Sequence, residues 1–167
     1  MGLTSRIAVE ITSKLSSVLD LKTVASDLAK RYTLDLANGV AAQQANVIWD
    51  DQRTLAPSAV DSLDLAGGGL VDAFGAAFAP AKVKAILIFA AKANLNNLTL
   101  FGDAAHVPIL NTVATTITLH PGGFFVVEFP ALAGVPVTAG TGDIVKITNA
   151  AGVNSVVYDI IIIGTNA

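Results

Sequence analysis

From Thr115 to Gly164 the chain alternates short apolar runs with turn residues. It reads TTITLH, then PGG, then FFVVEFP, and later IVKITN and SVVYDIIIIG. Runs rich in Val, Ile, Thr and Phe, each cut off by Gly, Pro, Asn or Asp, predict antiparallel strands joined by tight turns. In Ile144 to Asn149, Ile144, Lys146 and Thr148 point one way and Val145, Ile147 and Asn149 the other. Val156 to Ile163 is apolar throughout except for Tyr158 and Asp159, which predicts a central strand covered on both faces. On that reading, Ile161→Asp is expected to abolish folding, because an unpaired charge in a core is costly.

Upstream, Val83 to Ala91 (VKAILIFAA) predicts a second buried strand, and Leu98 to Phe101 a short one after a turn at Asn94 to Asn97. Asn46 to Leu55 and Ser58 to Leu65 also read as strands, the latter with Val60, Leu63 and Leu65 set against Asp61 and Asp64. Tyr32 to Leu36 alternates, and Asn38-Gly39 predicts a turn. Val40 to Gln44 and Gly67 to Ala81 read as loop or irregular chain, and Asp103 to Ala114 as a loop with or without an edge strand. The N-terminal segment is ambiguous. Ile7, Val9 and Ile11 alternate as in a strand, and the same stretch also reads as the start of a helix. Leu21, Val24, Ala25 and Leu28 have helical spacing, which predicts a short helix over Leu21 to Arg31. The expected architecture is all-β: an antiparallel, jelly-roll-like β-sandwich over residues 46–167, preceded by an arm and first strand over residues 1–45.

Composition changes this picture in one respect. Charged residues make up 14% of the chain and hydrophobic ones 53%, at a net charge of −3, whereas an ordinary soluble domain is roughly 25% charged. No apolar run approaches the ~20 residues of a spanning helix, and the strands lack the sustained alternation of a membrane barrel. Glu10 interrupts the one apolar candidate for a signal peptide, Ile7 to Ile11. The low charge therefore predicts surface buried against other chains, as in an obligate oligomer. Lys and Arg are not clustered into a nucleic-acid footprint. Five of the ten basic residues, Arg6, Lys14, Lys22, Lys30 and Arg31, fall in the arm.

Candidate chemistry is sparse. Gly140-Thr141-Gly142-Asp143 lacks the third glycine, the lysine and the helix of a phosphate loop, so a hairpin turn is expected. Gly67 to Gly69 fails the same test. His106 and His120 stand at no metal-ligand spacing. Asp50, Asp51, Asp61, Asp64 and Asp72 form an acidic region that is read as a solvated strand face, not an acid–base pair or a calcium site. Ser58, Ser62 and Ser155 have no adjacent base and no nucleophile elbow. There is no cysteine. The Asn97-Leu98-Thr99 sequon is set aside as a chance match. Trp49 and Arg53 flank two aspartates and read either as an interface anchor pair or as a tryptophan packed in the monomer core. No enzyme, cofactor or metal is expected.

The ordered set IWDDQRTLAPSAVDSLDLAGG, DAFGAAFAPAKVKAILI, HPGGFFVV, VTAGTGDIVKITNAAG and VVYDIIIIGT resembles small structural proteins of tailed bacteriophages, in particular the capsid decoration (cement) class of head proteins. The resemblance runs from about Ile48 to Thr165 and is a pattern of strands and turns. It implies a β-sandwich, often trimeric, bound on the outside of an icosahedral capsid. The expected partners are the major capsid protein and further copies of the chain, with neither nucleic acid nor membrane, and the expected location is the capsid surface of the virion. Trp49, Arg53, Arg6 and Lys14 are the expected interface residues. Deletion of Met1 to Leu19 is expected to weaken capsid binding and leave the sandwich folded. A tail or head–tail connector role, and a carbohydrate-binding jelly roll, are the alternatives.

Overall fold

The computed structural model describes residues 2–112 and 114–167. Its elements are β1 (Ser5–Val18), β2 (Thr23–Asn38), β3 (Gln44–Ala45), β4 (Val47–Leu55), β5 (Val60–Asp64), β6 (Lys82–Ala90), β7 (Leu98–Phe101), β8 (Thr116–Leu119), β9 (Phe124–Glu128), β10 (Val135–Pro136), β11 (Ile144–Asn149) and β12 (Val156–Thr165). The fold is all-β, and among the described residues no element is helical.

Two sheets form a sandwich. In the first, β12 pairs with β4 on one side and β6 on the other, and both β9 and β10 pair with the far side of β6. The second runs β5-β11-β7-β8. All of these pairings are antiparallel. Period-two alternation then fills the space between the sheets. Trp49, Ile86, Ile88, Tyr158, Ile160 and Ile162 from the first sheet form one cluster with Leu63, Leu98, Leu100, Val145 and Ile147 from the second. Phe78 stacks on Trp49 with ring centroids 6.4 Å apart, so the single tryptophan is a core residue.

A third layer covers the first sheet from outside. Strands β1 and β2 pair over their whole length, from Ser5↔Leu36 to Val18↔Thr23, and β3 adds to the foot of β2 in parallel. The foot of this hairpin lies on the sheet's outer face, where Ile7, Leu36 and Ala45 pack against Ala85 and Ile163. This explains why Ala85–Ala90 and Ile160–Ile163 are continuously apolar: one face of each strand meets the second sheet and the other meets the hairpin. Next to this seat the outer positions turn polar, with Asp50, Gln52 and Asp159 exposed. At the Ile163/Gly164 bulge, a Cβ on Gly164 would stand 2.5 Å from the Lys82 carbonyl oxygen, so only glycine fits that approach.

Three expectations change. The predicted helix over Leu21–Arg31 is strand β2. Val24, Leu28 and Tyr32 recur every four residues, which satisfies one helix face and one strand face alike. Pairing with fourteen residues of β1 decides for the strand. Ile161 does not belong to the inter-sheet core: it is half-buried beneath the hairpin, and Ile160 and Ile162 are the inward residues. Asp61 does not share a solvated face with Asp64. It has the parity of Leu63 and Leu65 and points inward.

Candidate functional site

The hairpin continues past its seat as a free arm. Grooves along its root trace its path. Ser5 to Ala8 run beside Ile48, Ile161 and Ile163 of β4 and β12. Ile7 to Glu10 then pass Leu87, Phe89 and Phe124 of β6 and β9. Val9, Tyr32 and Thr33 overhang Phe124–Glu128, the edge of the sheet, above an open groove of ≈ 670 Å³. Burial pushes the Glu128 carboxyl in that groove above the usual carboxylate range. Every residue from Glu10 to Thr33 is exposed. At ~3.4 Å per residue the part beyond the edge is roughly 25–30 Å long.

The arm has two unlike faces. Cross-strand partners share a face in an antiparallel pair. One face sets Arg6, Glu10 and Lys14 directly opposite Asp35, Arg31 and Asp27, so opposite charges meet in every row that carries them. Arg6 Nε donates to Asp35 Oδ1 at 2.5 Å and Nη2 to Oδ2 at 3.1 Å. That hydrogen bonding holds the Asp35 carboxyl below its ordinary range and raises the Arg6 guanidinium. The other face carries Ile11, Leu15, Val24, Leu28 and Tyr32. All five are exposed, Leu15 by 78%. The only charge on it is Lys30, opposite Ile11. The arm thus sets an exposed apolar face against one whose charges are neutralised row by row, which leaves it little steering field.

The expected interface residues divide accordingly. Arg6 and Lys14 lie on the charged face of the arm, Arg6 in an ion pair and Lys14 opposite Asp27. Trp49 is 4% exposed and spent on the monomer core. Arg53 lies on the inner side of β4, where Nε and Nη2 donate to Asp61 and Nη1 donates to Asp51 Oδ2 at 2.9 Å. Burial works against its charge, and the hydrogen bond and charge of Asp61 outweigh burial, so the guanidinium pKa is raised. Trp49 and Arg53 therefore hold the sandwich together from within. The apolar arm face was missed because each of its strands, taken alone, reads as ordinary alternation or as a helix stripe. The sequence signal was the inverted-sign charge order of Arg6, Glu10, Lys14 against Asp27, Arg31, Asp35.

The remaining candidates are structural. Asp64 Oδ1 accepts from the Ala66 and Gly67 amides at 2.9 and 2.7 Å, and Asp72 Oδ1 from Phe74 and Ala76 at 2.9 Å each. Gly140 has φ 75° in the turn closed by Gly142 N–H to the Thr138 carbonyl, and its amide donates to Asp143 Oδ2 at 2.6 Å. His106 is buried with Nδ1 2.9 Å from the Asp103 carbonyl oxygen, and His120 is exposed at the end of β8. Among the described residues, no group of three or more His, Cys, Asp or Glu is placed to hold a metal ion. In comparisons with known proteins, no protein family, curated sequence or solved structure matches the chain.

Proposed function

We propose that the chain is a structural virion protein that binds the outside of a tailed-bacteriophage capsid and stabilises it, as an oligomer whose contacts run through the arm. The observation that carries this reading is the arm's exposed apolar face, held away from a rigid sandwich. Such a face is a standing cost in water for an isolated monomer and an asset in a lattice.

The strand order supports the same reading. The first sheet runs β9-β6-β12-β4 and the second β5-β11-β7-β8, with β4/β5, β6/β7 and β11/β12 each crossing from one sheet to the other. That order supports a jelly-roll reading of the eight strands, an architecture used in viral capsid proteins and lectins. The exposed aromatics are Tyr32, Phe74, Phe89 and Phe124; Phe89 and Phe124 stack on each other with ring centroids 6.2 Å apart, and Tyr32 overhangs the groove beside Phe124.

The test is to add purified protein to undecorated mature heads and, separately, to unassembled capsid subunits. Strong binding to heads and weak binding to subunits is expected, because an oligomer adds several weak contacts only where the lattice spacing matches. Bound protein raises the melting temperature of the shell by mass action. Equal binding to heads and free subunits overturns the reading.

A further inference from the structure

The arm leaves the sandwich across one edge of the first sheet, and the same outer face carries an open apolar groove at the opposite edge. That groove, of ≈ 220 Å³, lies between the chain start and the loop after β5, and is lined by Leu3, Val47, Ile48 and Phe74 together with Asp50 and Asp72. Phe74 stands 76% exposed at its rim. Asp72 is committed to the amides of its own loop, whereas Asp50 projects outward from β4 beside the groove.

We infer that the occupant of this groove is the arm of a second copy of this chain, laid with its Leu28 side against Phe74 and with Lys30 facing Asp50. Three observations point to a second copy. Donor and acceptor lie at opposite edges of one face, so each copy both gives an arm and receives one, the head-to-tail arrangement that closes into a ring. The charges are complementary: the apolar arm face bears one cation, and the groove rim bears a free carboxylate. The seat is also continuous with one that already exists, because the foot of the same hairpin packs on the adjoining part of the same sheet through Ile7, Ile163 and Ala85. Packing arm on arm, apolar face to apolar face, would instead bury Lys30 ammoniums against each other with no counter-charge.

The inference rests on the arm being an assembly element, as in the proposed function, but its test needs no capsid. The chain has no cysteine, so single thiols are informative. Leu28→Cys and Phe74→Cys variants, both at exposed positions, are co-expressed with different tags and treated with a short bismaleimide. The expected result is a covalent pair between the two variants, absent when either is treated alone. Lys30→Asp and Asp50→Lys are each expected to abolish that cross-link and lower the sedimenting mass, and the two together to restore both. Leu28–Leu28 dimers would place arm against arm and overturn the inference. So would a folded mixture with no cross-link, or a wild-type chain that floats with lipid vesicles and sediments as a monomer. Failure here with capsid binding intact would leave the virion reading standing, and the reverse result would remove that reading alone.

Discussion

Tyr158 donates its phenolic hydrogen to Asp61 Oδ2 at 2.7 Å, which joins the central strand of one sheet to the edge strand of the other. Arg53 grips the same carboxylate from β4, so three strands meet on one side chain that is 12% exposed. Asp61→Ala leaves a half-buried guanidinium held only by Asp51 and a buried hydroxyl without its acceptor, and is expected to cost about 2–4 kcal/mol. Tyr158→Phe removes one neutral donor and is expected to cost about 1 kcal/mol. Urea unfolding followed by Trp49 fluorescence measures both.

The same contact sets an alkaline limit. Burial, then the hydrogen bond and charge of Asp61, raise the Tyr158 phenol above its ordinary 10.0. The folded chain therefore holds this proton while the unfolded chain releases it. The phenol's contribution is complete below pH 10.0 and is lost as pH rises from there toward the folded value. In a Tyr32→Phe background, which leaves Tyr158 as the only tyrosine, phenolate absorbance is expected to appear together with unfolding and not before it. A reversible phenolate signal in the folded state would contradict this.

Adjacent residues of β12 should behave differently. Ile160→Asp places a carboxylate between the sheets and is expected to prevent folding. Ile161→Asp places it under the hairpin foot and is expected to loosen the arm while the sandwich keeps its near-native spectrum. Hydrogen exchange reads the contrast: fast amides in Ser5–Val18 and Thr23–Asn38, with protection retained in β6 and β12.

Removing the arm requires a cut beyond its seat. Deleting Met1 to Leu19 would also remove Ile7 and uncover Ala85 and Ile163, so it does not isolate the arm's role. Joining Ile11 to Lys30, which are cross-strand partners, through an Asn-Gly turn removes only exposed residues. This variant is expected to stay within about 1 kcal/mol of the parent in stability, and to lose both self-association and capsid binding. Undiminished capsid occupancy would place the contact on the sandwich.

The strands that two layers cover were the easiest to read. Val83–Ala90 and Val156–Ile163 announce themselves because their longest apolar runs, Ala85–Ala90 and Ile160–Ile163, lie where the strands are packed on both faces. What covered them could not be read, since continuous apolarity records that a face is buried and not by what. The hairpin foot is that cover, and it comes from the segment whose own pattern was ambiguous. Trp49 and Arg53 admit an anchor-pair reading, because Trp and Arg favour interfaces, alongside a core reading of the tryptophan. Parity places both inside, and only the fold brings Phe78 and Asp61 to meet them. The apolar arm face emerges only when the two strands are laid in register, which joins residues as far apart as Ser5 and Leu36.

The position of β12 has a consequence for the order of events during synthesis. It is the last strand in the sequence, and it lies between β4 and β6, to which it is bonded along Val156–Gly164 and Tyr158–Thr165. Until those residues emerge, β4 and β6 have no partner between them and the first sheet cannot close. The hairpin, whose strands are joined by a short turn, pairs early, but its foot has no finished seat to land on. A ribosome-bound chain lacking its final strand is therefore a set of sticky ribbons awaiting one keystone, and closure of so non-local a sheet is slow. Loss of the last dozen residues is worse for this protein than loss of the whole projecting tip.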